Sequence, residues 1–456
     1  MEIFLDHVRC FSARRYVPIR PLTLLVGENS SGKSTFLAAT ACVLDQVNFP
    51  VAPGFNDPPY SLGTYETIAT ITPGKRKSAS TFSIGFRHEQ HEDGIKSDLR
   101  EALATYESRR GAPALQRLIV ETLKGKLEID LSESNIGGCL TLTALGRRPK
   151  VNWQQTFEFN ADVRSAGPEQ PRRFWYSILG AAYQELHARA LKVQSDSDQS
   201  IARTAVIYEH SAMSFLNEIE KSLVPTGYLA RSIAPIRSKP RRTYDDLSES
   251  FNPEGNHIPP FLARQFSSES GLKMQETQRL RTAIKRFGEE SGMFQDVTIK
   301  KLGSGSGYPF QIQVIVNGAP TNLNDVGYGV SQILPIIVES EFTSQNNLRL
   351  MQQPEVHLHP RAQAALGSLF ARLAADGDRR FVVETHSDYL LDRVRQEVAN
   401  GTITADRVAI LFFDKPERET TVHLIELDDL GNVVDPPPRY REFFLEEGLN
   451  LLRRGS

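Results

Sequence analysis

The fold is decided by one nine-residue stretch, GENSSGKST, which runs from Gly27 to Thr35. It follows the apolar run LTLLV at 22–26 and precedes the helix-forming stretch FLAATACVL. A nucleotide phosphate site requires this order of strand, glycine-rich loop and helix, and the spacing is that of a Walker A loop. Its lysine reaches the β and γ phosphates of a nucleoside triphosphate, and the following hydroxyl can ligate Mg²⁺. The residues predicted to hold ATP are Gly27, Asn29, Ser30, Ser31, Gly32, Lys33, Ser34 and Thr35.

Length and composition indicate a large folded protein that is not a basic nucleic-acid binder as a whole. The 456 residues are 40% hydrophobic and 24% charged, enough to bury at least one substantial core. A formal net charge of -2 means that any DNA or RNA contact needs a local basic patch. The three cysteines, Cys10, Cys42 and Cys139, lack metal or disulfide spacing, which favours a reducing compartment. The N-terminus has no signal region, and no apolar stretch reaches the roughly 20 residues that span a bilayer. We therefore expect a cytoplasmic protein without a membrane partner.

Hydrophobic patterning predicts an α/β fold with two lobes of mixed and parallel sheet. The first lobe, 1–94, combines short apolar strands with the Walker loop. Residues 95–226 are predicted to be a mostly helical insertion, with FWYSILGAAYQELHARALKV as its clearest helix and strands near KLEIDL and LTLTAL. The second lobe, 227–456, contains the strand candidates VTIKKL, FQIQVIV, LRLM, RFVVET and RVAILFF and a last helix, REFFLEEGLNLL. No apolar heptad persists over three or four repeats, so no long coiled coil is expected.

Three segments of the second lobe place polar residues at strand ends or helix starts, where open α/β sheets gather ligands. In LNDVGYGVSQILPIIVE, 323–339, glycines precede an apolar helix, as an anion site requires. In LRLMQQPEVHLHP, 348–360, an apolar strand leads into polar residues. In RFVVETHSDYLLDRV, 380–394, Glu384 and His386 stand between a strand and a helix.

Taken in order, these motifs resemble those of ABC-type ATPases related to the SMC-like DNA-repair proteins and the overcoming-lysogenization-defect nucleases of bacteria. The resemblance rests on VGENSSGKST, a degenerate signature NDVGYG, a Walker B segment ending PEVHLHP, and the histidine of ETHSD. It implies that ATP is held between the Walker loop of one head and the signature of a second head. Asn324, Gly327 and Gly329 would then act across a dimer interface, and His386 would contact the γ phosphate.

The chain departs from that family at the end of the Walker B segment, where relatives carry two acids and this chain has Gln352 and Gln353. Glutamine cannot act as a general base, and losing such a base typically costs about 10²- to 10⁴-fold in rate. Hydrolysis is then slow or depends on another carboxylate, for which Glu355 and Glu384 are the candidates. Either acid has the alternative role of capping a helix. Gln352 could hold a metal-bound water, and Gln353 could orient the attacking water, as a glutamine does in GTPases.

A local basic patch is predicted near the start of the second lobe. Arginines beside tyrosines can grip phosphates and stack on bases, so the patch is a candidate for DNA or RNA contact. A solvated loop, or pairing with acidic residues of a partner head, is an equal alternative. The patch consists of Arg231, Arg237, Lys239, Arg241 and Arg242.

Three hypotheses for the function stay open. The first is an ATPase subunit of an antiphage defence complex, similar to Septu and retron-associated modules, in which a separately encoded nuclease or toxin is the effector. The second is a non-hydrolysing, ATP-bound scaffold that holds an effector inactive, which the glutamine pair favours. The third is a DNA-repair ATPase, against which the missing coiled coil counts. The nuclease relatives carry a metal-binding Toprim domain, which we expect to be absent because the sequence after Arg407 offers only a hairpin-like stretch and a final helix.

Overall fold

Two units make up the described part of the chain. The computed structural model describes residues 1–45, 48–71, 78–88, 99–122, 125–131, 135–142, 150–156, 229–245, 250–266, 272–303, 308–341, 347–376 and 379–440. Unit 1 draws its residues from Met1–Pro18, Ala38–Leu229 and Glu417–Thr420. Unit 2 draws its residues from Ile19–Leu37, Ala230–Pro416 and Thr421–Ser456.

Unit 1 is built on an antiparallel sheet. Among the described residues its strand order is β2-β1-β4-β5-β6-β7-β8-β9. These strands are β1 (Glu2–Asp6), β2 (Arg15–Pro18), β4 (Thr81–Arg87), β5 (Leu99–Arg109), β6 (Ala112–Thr122), β7 (Gly125–Leu131), β8 (Asn135–Leu142) and β9 (Lys150–Thr156). A short helix, α2, covers Tyr65–Ile68. Strands β4 to β7 bury aliphatic and aromatic side chains on one face, so the antiparallel ladder has an apolar side that forms a core.

The prediction of a mostly helical insertion is wrong for the part of 95–226 that the structure describes before residue 157. That part forms β5 to β9, and the predicted strand KLEIDL lies within β7. Residues 99–122 are rich in Ala, Leu, Glu and Arg, which have high helix propensity, yet pairing with neighbouring strands overrides that preference. The helix predicted at 174–193 lies outside the described residues.

Unit 2 contains a seven-stranded sheet in the order β10-β14-β15-β3-β16-β17-β18 among the described residues. Strands β14, β15, β3 and β16 run parallel to one another, and β17 and β18 continue the sheet antiparallel. The seven strands are β3 (Leu22–Gly27), β10 (Leu229–Ile233), β14 (Asn347–Gln352), β15 (Arg379–Glu384), β16 (Val408–Asp414), β17 (Thr421–Leu427) and β18 (Val433–Val434). The four parallel strands are near-continuous apolar runs, as expected for strands buried on both faces.

A second sheet and most helices of unit 2 share one hydrophobic core with this sheet, whereas the helix after the Walker loop spans both units, with residues 33–37 in unit 2 and 38–43 in unit 1. A second, antiparallel sheet comprises β11 (Asp296–Lys301), β12 (Phe310–Val316) and β13 (Ala319–Asn322). The helices are α1 (Lys33–Val43), α3 (Ile258–Gln265), α4 (Leu272–Ser291), α5 (Tyr328–Glu341), α6 (Pro360–Ala375) and α7 (Asp388–Ala399). Residues in the sequence fix two helix starts. Pro360 occupies the first turn of α6, and the Ser387 hydroxyl accepts the Leu390 N–H of α7.

Chain order misplaced the Walker strand. It was predicted to belong to a first lobe of residues 1–94, but β3 clusters with unit 2. The reason is that β3 lies between β15 and β16 and pairs in parallel with both, more than 350 residues further along the chain. The strands predicted at VTIKKL, FQIQVIV, LRLM, RFVVET and RVAILFF are observed as β11, β12, β14, β15 and β16. The predicted last helix lies outside the described residues.

Candidate functional site

The candidate site lies at the carboxyl ends of the parallel strands of unit 2. Gln352 at the end of β14 is level with Glu384 at the end of β15, which is level with Leu25 of β3. On the other side of β3, Gly27 is paired with Phe413 of β16. Because parallel strands end at the same edge, segments distant in sequence meet there.

The Walker loop leaves β3 through a backbone conformation that only glycine adopts without strain. Gly27 has φ +137°, and a Cβ at this position would lie 2.5 Å from the carbonyl oxygen of Phe413. Gly32, at the start of α1, has φ +105°. The first N–H groups of α1 have no intrahelical acceptors, so they are available to an anion. Lys415 also contacts the loop, because its Nζ donates to the carbonyl oxygen of Ser30 at 3.2 Å. The sequence analysis did not predict this residue as part of the site.

Lys33 is buried inside the loop, with 3% of its surface exposed. Its Nζ donates to the carbonyl oxygens of Gly27 at 2.9 Å and Glu28 at 2.7 Å. Burial lowers the pKa of the Lys33 ammonium, and the nearby carboxylates of Glu384 and Glu28 oppose that shift. Loop oxygens, including Ser31 Oγ at 3.5 Å, therefore face all three donors of this ammonium, and a phosphate oxygen that contacts it must replace one of them.

The hydroxyl of Ser34 faces a carboxylate from the neighbouring strand. Its Oγ lies 2.9 Å from both Oε1 and Oε2 of Glu384, to which it donates. Glu384 is 5% exposed, and burial raises its pKa, with Ser34 and Lys33 opposing the shift. A serine hydroxyl and a carboxylate are hard oxygen donors of the kind that Mg²⁺ accepts together with water and phosphate.

A second buried carboxylate, Glu355, lies in the turn after β14. Its Oε1 accepts the backbone N–H of His386 at 2.7 Å, which ties this turn to the segment after β15. Burial raises the pKa of Glu355, and the His386 N–H opposes the shift. The side chain of His386 is exposed, and partial burial followed by the charge of Lys33 lowers its pKa, which favours the neutral imidazole. His386, Glu355 and Lys33 therefore belong to one electrostatic cluster.

The two glutamines occupy the end of β14 and are half-buried. Gln353 has φ +42°, and its backbone N–H donates to the carbonyl oxygen of Glu384 at 2.8 Å. In the sheet, β15 lies between β14, where Gln352 is, and the Walker strand β3, whereas Glu384 lies on β15 itself. The predicted metal role of Gln352 and the water role of Gln353 stay predictions.

The signature segment presents an exposed turn before α5. Asn324 is exposed, and its hydrogen bonds run to its chain neighbours Asn322 and Asp325. A Cβ on Gly327 would meet no atom within 4 Å. Gly329 is different, since a Cβ there would lie 2.8 Å from the carbonyl oxygen of His357. Gly327 therefore faces open space, while Gly329 permits close packing of α5 on the turn after β14.

The predicted basic patch is not one exposed surface. Arg237 is 2% exposed, and its guanidinium donates to the carbonyl oxygens of Ala234, Pro354 and Val356 at 3.4 to 3.5 Å. Burial lowers its pKa to about 10. Its inclusion in a nucleic-acid patch is therefore wrong, because a buried guanidinium cannot grip a phosphate backbone.

The other members of the patch divide into two pairs. Arg231 forms an ion pair with Glu339 at 3.7 Å, and Arg242 contacts both carboxylate oxygens of Asp325 at 2.6 and 3.0 Å. Lys239 and Arg241 are exposed. These two keep the charge and access that a nucleic-acid contact requires.

The comparison with protein families agrees with this geometry. Residues 183–391 match the AAA ATPase domain family, a range that ends in α7 and follows the Walker loop in the chain. The fold is that of a P-loop ATPase. A match to this family indicates nucleotide binding, and the matched range covers the signature, the end of β14 and the ETHSD segment. A search of curated proteins finds no match.

Solved SMC head domains are similar to this P-loop ATPase over most of both chains. One, from Pyrococcus furiosus, has an extended coiled coil and is bound to the C-terminal domain of ScpA. Its sequence is 10% identical, the TM-score is 0.41, and the similarity covers 99% of this chain and 98% of that head domain. A second, bound to the C-winged helix domain of ScpA, is 11% identical with TM-score 0.45 and covers 94% and 97%. The head domain from Thermotoga maritima is 8% identical with TM-score 0.38 and covers 93% and 98%.

Within the described ranges, no group of three or more His, Cys, Asp or Glu residues could hold a metal ion by itself. Nor does any described helix combine the length and the apolar character needed to cross a membrane.

Proposed function

We propose that this P-loop ATPase binds ATP with Mg²⁺ at the carboxyl edge of the unit 2 sheet and hydrolyses it. One observation carries the proposal: Lys33 and Ser34 at the start of α1 meet Glu384 at the end of β15, at the edge of a parallel sheet. The ammonium suits the β and γ phosphates, and the hydroxyl and carboxylate suit the cation. The bound Mg²⁺ would neutralise charge on the phosphates.

The protein's own residues support hydrolysis without a base at the end of β14. Glu355 is a buried carboxylate fixed by the His386 N–H, and Gln353 is held by a hydrogen bond to the backbone of β15. Such an arrangement positions a water molecule but provides a weaker proton acceptor than a pair of acids would. We therefore propose slow turnover.

We also propose that two copies of the protein associate through their heads when ATP is bound. The signature turn supports this proposal because Asn324 and Gly327 are exposed and the 14-residue helix α5 begins immediately after them. A helix N-terminus preceded by an open glycine offers backbone N–H groups to an anion supplied by another copy. The ATP-bound dimer would then be the signalling state.

The biological role that best fits these features is that of a sensor or regulatory subunit in an antiphage defence complex with a separately encoded nuclease or toxin. The support is the ordered motif set of the chain and its resemblance to such subunits. The second candidate is a non-hydrolysing scaffold, which Gln352 and Gln353 favour. Direct action on DNA has Lys239, Arg241 and Arg242 as exposed members of the predicted patch, and Arg242 is paired with Asp325.

Phosphate release from ATP tests the catalytic proposal. We expect slow release by the wild type, none by Lys33→Ala, and wild-type release by Lys300→Ala, whose side chain is exposed on β11. Release by Lys33→Ala at the wild-type rate would reject the site. Binding of ATP without release would reject hydrolysis and leave the scaffold.

Sedimentation with and without ATP tests the dimer. Gly327→Asp places a negative charge where a partner's phosphates would lie, and the open space around Gly327 lets the variant fold. We expect ATP to shift the wild type and Lys301→Asp to a dimer but to leave Gly327→Asp monomeric. Equal association of all three proteins would contradict the proposed interface.

A further inference from the structure

The end of β14 presents no acid to a cation. In P-loop ATPases, Mg²⁺ is held by the loop Ser or Thr together with a Walker B aspartate. Here the corresponding strand ends in Gln352 and Gln353, whose amides are neutral. A cation at Ser34 therefore requires an anionic partner from another part of the chain.

Glu384 stands where such a partner is required. Both of its carboxylate oxygens lie 2.9 Å from Ser34 Oγ, and the side chain is almost fully buried at the edge of the sheet. The hydroxyl can donate its hydrogen to this carboxylate while its lone pairs face a cation. The contact is thus the one that the metal-ligating hydroxyl of a P-loop needs.

Sheet order explains how the carboxylate reaches the loop. The order is β14-β15-β3, so Glu384 lies on the strand next to the Walker strand, and Gln352 lies one strand further away. Adjacent strands are about 4.8 Å apart, so a side chain on β15 is closer to the Walker strand by one strand spacing than a side chain on β14 is. The two residues are level in the parallel register, which makes them alternative positions for one charge.

We propose that Glu384 supplies the carboxylate of the Mg²⁺ site, in place of the acid missing from β14. The proposal rests on ATP binding at the P-loop and assigns the negative charge to β15. Gln352 then has no anionic role, and Glu355 is left free for the attacking water.

The test separates metal binding from nucleotide binding. Affinity for a fluorescent ATP analogue is measured with Mg²⁺ and with EDTA, and the ratio of the two is the metal enhancement. We expect Glu384→Gln to lower this enhancement about 10- to 100-fold, the range typical of losing a residue that holds or orients a metal ligand. Binding in EDTA should be unchanged. Glu276→Gln, exposed on α4, should keep the wild-type enhancement.

A cysteine variant keeps the proposal falsifiable if glutamine destabilises unit 2. Thiolate prefers soft cations, so Glu384→Cys should lose the enhancement with Mg²⁺ and gain one with Cd²⁺, relative to Glu276→Cys. An unchanged Mg²⁺ enhancement in Glu384→Gln or no Cd²⁺ preference in Glu384→Cys would overturn the assignment. A wild type that binds no ATP with either Mg²⁺ or EDTA would instead reject the proposed function.

Discussion

Replacing Arg237 with methionine should destabilise unit 2 without removing an exposed charge. The guanidinium is 2% exposed and makes three hydrogen bonds to carbonyl oxygens, at 3.4, 3.4 and 3.5 Å. Two of these carbonyls, those of Pro354 and Val356, flank Glu355 in the turn after β14. Arg237→Met keeps most of the aliphatic volume, so the loss of these bonds is the main effect.

The expected loss follows from the geometry of the three bonds. Each is near the outer limit of hydrogen-bond length, so about 0.5 to 1 kcal/mol apiece is appropriate. Removing the buried cation also removes its desolvation penalty, which offsets part of the sum. The net loss is about 2 kcal/mol, which lowers the melting midpoint of a unit of roughly 200 residues by about 4 to 8 °C.

The matched control is Arg241→Met, because Arg241 is exposed in the same loop. Surface substitutions usually change stability by less than about 0.5 kcal/mol, so its midpoint should stay within about 2 °C of the wild type's. Scanning fluorimetry with and without ATP identifies the transition of unit 2 as the one that ATP raises. A wild-type midpoint for Arg237→Met together with a loss of salt-sensitive DNA binding would refute the buried role and restore the nucleic-acid interpretation.

Three further outcomes are expected. Gly27→Ala should lower both the midpoint and ATP affinity, because φ is +137° and the new Cβ would lie 2.5 Å from the Phe413 carbonyl oxygen; wild-type affinity would contradict this. Burial alone would raise the pKa of Glu339, but His257, Arg349 and Arg231 together lower it. The ionised Glu339 therefore contributes fully to the free energy of unfolding above the unfolded-state pKa of about 4.3. That contribution is lost as the pH falls through the folded-state pKa. Glu339→Gln should therefore reduce stability near neutral pH and flatten its decline in acid, and urea unfolding at several pH values with an unaltered acid slope would count against it. Arg242→Ala should cost less than about 1 kcal/mol in urea unfolding because its pair with Asp325 is exposed, and a larger loss would show that the pair is structural.

The Walker loop could be predicted from local sequence signals, whereas contacts between residues distant in sequence could not. The loop could be predicted because its strand, glycines, lysine and helix are contiguous from Leu22 onward. The contact between Ser34 and Glu384 joins residues 350 positions apart, and only the parallel sheet brings them together. The sequence therefore predicts roles for the two residues separately, with Glu384 as a base or a cap and not as the partner of the loop hydroxyl.

Arg237 and the strands of unit 1 were misread for related reasons. Arg237 lies in a stretch rich in Pro, Ser and charge, which is typical of a solvated loop. Its guanidinium is nevertheless buried and donates to carbonyl oxygens more than 100 residues away in the chain. Residues 99–122 have the composition of helices and form strands because neighbouring strands satisfy their backbone. In both cases, partners distant in sequence override the local preference.

The central claim is tested most directly by equilibrium binding of ATP with Mg²⁺. The wild type is compared with Lys33→Ala, and Lys300→Ala is the matched control. A hydrogen bond from a charged group contributes about 1.5 to 3 kcal/mol, so the dissociation constant of Lys33→Ala should rise about 10- to 100-fold. The control should bind as the wild type does. Equal dissociation constants for all three proteins would contradict a nucleotide site at this loop.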